Sequence, residues 1–200
     1  DSGDPALQRR TAAAIGDLVD RHPSSYRRTI PALVNIVESD RSATDDRVLN
    51  TLSTLAQYHP ADIQPAIPAL LDILIAGGLD DDANRRSTQP DGMPPDSPQN
   101  QKPGDPNRVP AVRTLVLVAN ECPETVAESV TQVDSLLADT DADIRAAACE
   151  AVGAIARVHP AKVDHLIDDL ASLLVADPQY SVVWKAATAL AALASEYPRD

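Results

Sequence analysis

The chain contains no Phe, one Trp and four Tyr among its 200 residues, so its interior must be built from Ala, Leu, Val and Ile. It has two cysteines, Cys122 and Cys149, too few for a disulfide scaffold and consistent with a reducing interior. No unbroken run of about 18 apolar residues occurs, which excludes a transmembrane helix built that way. No basic, apolar and small-residue leader stands at the N-terminus. The first residue is Asp1 rather than Met, and the expectation is a chain processed or excerpted from a longer one. Lysine is also scarce: three residues, Lys102, Lys162 and Lys185, against 14 Arg.

What is abundant is aspartate. The sequence holds 24 Asp and 6 Glu, for a formal net charge of −13. Short carboxylates hold water and cations, and the loss of Lys removes long apolar stems from the surface. At about 1 M salt the Debye length is about 3 Å, so repulsion among many carboxylates is screened. This composition resembles that of proteins from salt-loving archaea, and a halophilic, cytoplasmic protein is the expectation. So acidic a surface matches nucleic acid poorly, and membrane association is not expected either.

A dipeptide ending in Pro recurs at His22-Pro23, His59-Pro60, Cys122-Pro123, His159-Pro160 and Tyr197-Pro198. The prolines are spaced by 37, 63, 37 and 38 residues. The long interval is one period plus a tract rich in Pro, Asp, Gln and Gly over 77–106, which cannot bury apolar surface and is expected as a flexible loop. Apolar residues keep register with the Pro. Eight before it stand Ile15, Leu52, Leu115, Val152 and Leu190, and five before it Leu18, Leu55, Val118, Ile155 and Leu193. Seven after it come Ile30, Ile67, Val130 and Ile167, then at ten Leu33, Leu70, Val133 and Leu170, and at thirteen Ile36, Ile73, Leu136 and Leu173. Offsets of three and four mark one face of an α-helix. Each unit therefore predicts a first helix, a turn at the Pro, which stops that helix, and a second helix. Ala runs such as Ala146-Ala147-Ala148 let helices approach closely, and burial arises by stacking units in a row.

With these residues in place, the chain resembles the HEAT-repeat α-solenoids. Asp141-Ala142-Asp143-Ile144-Arg145, the Ala-rich helix to Val158, His159-Pro160 and a second helix through Leu174 carry the resemblance, as do Pro31-Ala32-Leu33 and Pro68-Ala69-Leu70. It implies an all-α, right-handed α-α superhelix of about four and a half two-helix repeats of ~37 residues, forming one domain over 1–200. The units are expected near 6–39, 43–76, 107–139, 142–176 and 179–198. It also implies that Asp141 and Arg145 support the inter-repeat turn; the signature is loose at 40–47 and 105–113 and absent at 179–184. Unit five has no second helix, so its apolar face is expected to meet a continuation of the chain, to cap the array, or to form a homodimer.

The chemistry-bearing residues are few. His22, His59 and His159 share one repeat position with Cys122 and Tyr197. Equivalent positions in stacked units lie roughly 10 Å apart, whereas a zinc ion needs ligands about 2 Å away. A repeated turn position accounts for them, and no metal and no cofactor is expected. Enzymes with HEAT-like folds set the contrast. The His-Glu dipeptides of deoxyhypusine hydroxylases are absent, no site for a bilin lyase's tetrapyrrole can be named, and the basic, aromatic groove of HEAT-like DNA glycosylases has few candidates. No Gly-rich phosphate loop, Cys-x-x-Cys pair or nucleophile elbow occurs.

The expectation is thus a non-catalytic scaffold that binds a segment of a protein partner along its second-helix, concave face. The alternatives are a HEAT-like enzyme or nucleic-acid-binding protein, or an accessory module of a larger protein. The polar second-helix positions predict the contact strip: Arg27, Arg28, Gln64, Glu128, Gln132, Asp164, His165, Asp168 and Asp169, basic at its start and acidic at its end. Plain surface polarity explains the same pattern.

Overall fold

A computed structural model describes residues 27–39, 46–88 and 107–196. Residues 1–26, 40–45, 89–106 and 197–200, on which the expected first helix of unit one and most of the expected loop fall, lie outside the described residues. Within them the chain is helical, with no strand. The helices are α1 (Ile30–Ser39), α2 (Asp46–Ala56), α3 (Pro60–Ile63), α4 (Ile67–Thr88), α5 (Arg108–Glu121), α6 (Pro123–Ala127), α7 (Val130–Leu137), α8 (Ala142–Ala156), α9 (Ile167–Ala176) and α10 (Tyr180–Glu196).

The first helices α2, α5, α8 and α10 pack one on the next in a row. The second helices form the other layer, and α1, α4, α7 and α9 pack on the first helices α2, α5, α8 and α10 of the following units. The core runs continuously between the layers, from Ile30 and Leu33 through Leu52, Leu70, Leu115, Val133 and Val152 to Leu170 and Leu193. This is an all-α, HEAT-like solenoid. The in-register aliphatic positions fill it because each sits on the one helix stripe that faces both its own partner and the neighbouring unit.

The recurring Pro has a second role beside stopping the first helix: it is the first residue of the second helix. Before it, His59 (φ −140°, ψ 54°), Cys122 (φ −136°, ψ 61°) and His159 (φ −134°, ψ 62°) adopt one backbone conformation. Their amides donate to Leu55, Val118 and Ile155 at 2.8, 2.7 and 2.7 Å. Pro suits the first helical position because it lacks the N–H that would have no partner there. The second helices are not single rods as the periodicity predicts. Short helical or 3-10 pieces precede α4, α7 and α9, and in unit two Pro65 and Pro68 cannot donate to the ladder.

Two further differences concern α4. It continues to Thr88, so residues 77–88, expected within the loop, are helical; the first Pro after Pro68 is Pro90, and nothing earlier forces a break. Pro60–Gly78 also reaches the length and mean hydropathy (1.2) of a membrane span, although Gln64 and Asp72 interrupt the apolar run. Half of that window is buried inside the solenoid, as for a core helix packed on neighbours from both sides.

Candidate functional site

The turns between units are built from Arg and Asp. Asp141 precedes α8 and accepts a hydrogen bond from the Asp143 amide at 2.8 Å, capping the helix. Arg145 donates from Nη1 to the carbonyls of Asp139 (2.6 Å) and Thr140 (3.1 Å). Its Nε and Nη2 reach the two carboxylate oxygens of Asp177 at 2.7 and 3.2 Å. Asp177 Oδ1 also accepts from the Gln179 amide at 2.9 Å. Burial pushes the Asp177 carboxyl up, but the Arg145 and Gln179 hydrogen bonds and the Arg145 charge outweigh it and leave it below the usual range. Asp141 and Arg145 thus hold the turn, as the resemblance implies.

The same device stands one unit earlier, where the sequence signature is loose. Arg108 Nη2 donates to Asp139 Oδ2, and the Asp141 amide donates to Asp139 Oδ1 at 2.8 Å. Both side chains are buried, Arg108 at 2% and Asp139 at 6% exposure. Gly77 and Gly78 make the room: a Cβ on Gly77 would stand 2.7 Å from Arg108 Cδ, and one on Gly78 2.9 Å from Asp139 Oδ2. The sequence does hold the signal, since Arg108 and Arg145 both lie fifteen residues before their Pro.

The first-helix surface carries a polar ladder that periodicity alone passes over. Asn120 Nδ2 donates to Glu150 Oε1 (3.1 Å), Arg157 Nη2 donates to Asn120 Oδ1 (3.3 Å), and Lys185 pairs with Glu150 Oε2. These residues, with Gly153 and Trp184, line a shallow hollow of ≈ 110 Å³. Its polar groups already meet one another. Cys149 at its floor is fully buried, and burial pushes its thiol up to about 12, so it is a poor nucleophile at neutral pH.

The expected contact strip divides in two. At its start Arg27 is held by Asp62, with Nε–Oδ2 at 2.5 Å and Nη2–Oδ1 at 2.8 Å, while Arg28 is exposed. Gln64 Oε1 accepts from Thr125 Oγ1 at 2.7 Å, and Gln132 Nε2 donates to Asp72 Oδ1 at 2.9 Å. Both glutamines therefore join the second helices of units two and three. At the other end Glu128, Asp164, His165, Asp168 and Asp169 are all exposed. Asp164 and His165 lie side by side, each side chain 54% exposed, with Oδ1 and Nδ1 3.9 Å apart. Among the described residues no group of three or more His, Cys, Asp or Glu is arranged to hold a metal ion.

The HEAT repeat family matches residues 130–159, which run from α7 across the Asp139–Asp143 turn into α8 and His159. Two crystal structures of engineered proteins share the fold. One has a TM-score of 0.62 at 20% identity, over 96% of this chain and 77% of that one. The other has a TM-score of 0.50 at 16% identity, over 97% and 93%. A search of curated proteins returns no match.

Proposed function

We propose, from its HEAT-like fold and the HEAT-repeat match at residues 130–159, that the chain is a non-catalytic scaffold holding a segment of a protein partner along its second-helix face. The acidic half of that face, Glu128, Asp164, His165, Asp168 and Asp169, receives basic side chains of the segment. Arg28, with Arg27 beside it, receives carboxylates at the other end. The observation that carries this is that Glu128, after α6, and Asp164, His165, Asp168 and Asp169, at and just before the start of α9, are all exposed, whereas Gln64 and Gln132 elsewhere in the strip meet neighbours. Gln64 and Gln132 contribute by aligning the second helices rather than by meeting the partner end-on. The Asp-rich, Lys-poor composition supports a cytoplasmic role in a salt-loving archaeon.

The test is affinity capture from a native-salt lysate with the 200-residue chain, followed by charge reversal. Arg28→Glu is preferable to Arg27→Glu, which would also break the pair with Asp62. Loss of the captured partner on Arg28→Glu or on Asp169→Lys is expected. Capture unchanged by both substitutions would remove this face from consideration.

A further inference from the structure

The hollow on the first-helix surface takes its walls from three consecutive units. Asn120 comes from α5, Glu150 and Gly153 from α8 with Arg157 just after it, and Trp184 and Lys185 from α10. It is therefore a recess between stacked helices and not an uncovered end of the array. Gly153 opens it. Seven residues before their Pro, units two and three hold Ser53 and Val116, whereas unit four holds Gly153. A Cβ there would stand 3.3 Å from Ala189 Cα, so α10 rests on bare backbone and the longer side chains stand around that floor.

The polar groups of the rim are unevenly matched. Both carboxylate oxygens of Glu150 are taken, Oε1 by Asn120 and Oε2 by Lys185. Arg157 donates to the Asn120 amide oxygen at 3.3 Å, and among the described residues it pairs with no carboxylate. Arg27, Arg108, Arg145 and Lys185 each have one, in a chain with 30 Asp and Glu against 17 Lys and Arg. An exposed cation without a partner is ordinary on a surface; Arg157 differs in that it lines a recess. With Glu150 neutralised by Lys185, one unmatched positive charge is left there. Trp184, the single Trp of the chain, stands at the same recess. Tyr180 stacks on it, with ring centroids 6.5 Å and planes 27° apart, which holds the indole as a fixed wall.

We propose that this hollow binds a monocarboxylate with a small apolar body. Arg157 takes the carboxylate through its planar pair of N–H donors, and the indole of Trp184 and the Gly153–Ala189 floor take the apolar body. A volume of ≈ 110 Å³ admits one such group and not a folded element. The same chemistry is carried by a free organic acid and by the C-terminal carboxylate of a peptide. The site lies in the first-helix layer, away from the second-helix face assigned above, so either assignment can fail alone.

The test titrates the 200-residue chain with benzoate, with benzamide as its uncharged counterpart, and with a blocked tripeptide that ends in a free Phe carboxylate. Trp184 fluorescence reads binding directly because no other Trp contributes, and calorimetry checks it. Circular dichroism confirms that each variant is folded in the salt used. Benzoate or the peptide is expected to bind with a Kd of about 1 mM or tighter, and the tighter of the two identifies the source. Benzamide should bind at least about tenfold more weakly than benzoate, and Arg157→Gln, at an exposed position, should cost the carboxylate at least about tenfold. Glu150→Gln should tighten binding, because it removes the carboxylate of the rim and releases Lys185. Lys162→Gln, a cation of the second-helix layer, should change nothing. Saturable binding of neither carboxylate up to about 20 mM, equal affinity for benzoate and benzamide, or full affinity in Arg157→Gln would overturn the proposal.

Discussion

Arg145, in the first turn of α8, clasps the Asp177 carboxylate that follows α9, with N–O distances of 2.7 and 3.2 Å. Arg108 makes the matching pair with Asp139 one unit earlier. Each Arg thereby ties its own first helix to the turn that leads into the next unit, where apolar packing alone would leave the spacing between units loosely set. A planar guanidinium suits this because two parallel hydrogen bonds fix orientation as well as distance.

Removing one partner of such a pair leaves the other desolvated. Arg145→Ala should destabilise the chain by about 3 kcal/mol, since Asp177 would remain buried without its cation. Arg145→Lys should recover only part of that, because an ammonium cannot span both oxygens. Urea denaturation followed by circular dichroism reads both values, and a double-mutant cycle with Asp177→Asn isolates the pair. A cost below about 0.5 kcal/mol for Arg145→Ala would rank the pair with ordinary surface ion pairs.

Acid should act through Asp177. Its carboxyl is held below the usual value, so the unfolded chain takes up the proton first, from about pH 4 downward. The stabilisation is fully present above that range and is lost as the pH falls through the folded value. Asp177→Asn should therefore show a shallower fall in stability between about pH 5 and pH 2 than the parent chain.

Gly77→Ala offers a test in which two effects oppose. Ala in place of Gly should strengthen an exposed helix by about 1 kcal/mol. Here the new Cβ would meet Arg108 Cδ at 2.7 Å and Cγ at 3.0 Å, and Arg108 is packed too tightly to swing aside. A net loss of stability is expected, and a gain in melting temperature would show that the Arg108 site has slack.

The two thiols should separate cleanly in reactivity. Cys122, half-buried after α5, is expected to react with a disulfide reagent in the native chain. Cys149, fully buried and with its thiol pushed up to about 12, should react only on unfolding. Counting thiols released before and after denaturant checks this.

Salt should raise the melting temperature, because screening relieves the repulsion behind the −13 net charge. The rise should persist in Arg145→Ala, since the buried pairs are screened far less than the surface carboxylates. A melting temperature independent of salt up to about 2 M would argue against a halophilic surface.

The layered helices, the turn at each Pro and the aliphatic core were legible in the sequence because all three repeat with the chain's own period. Leu52, Leu115 and Val152 are buried alike because each occupies the same helix stripe in the same stack. The Arg145 turn was legible for the same reason. Contacts that join one unit to the next were harder to read. Gln64 with Thr125, Gln132 with Asp72 and Glu150 with Lys185 use positions that differ in type from unit to unit, so no repeated pattern announces them. Gly77 and Gly78 look like the start of a loop until Arg108, 30 residues on, is seen to need their space.

The sequence alone determined the architecture: a 37-residue period of aliphatic positions admits helix pairs stacked in a line, because only neighbours can cover such stripes. Which polar side chains join units and which stay exposed was decided by tertiary packing. Whether Gln132 meets Asp72 or solvent depends on where two separately folded helices come to rest. Burial belongs to the same class: Ile67 is fully buried and Ile167, at the same repeat position, is 40% exposed, because a residue's register fixes which way it points and only its neighbours decide whether it is covered.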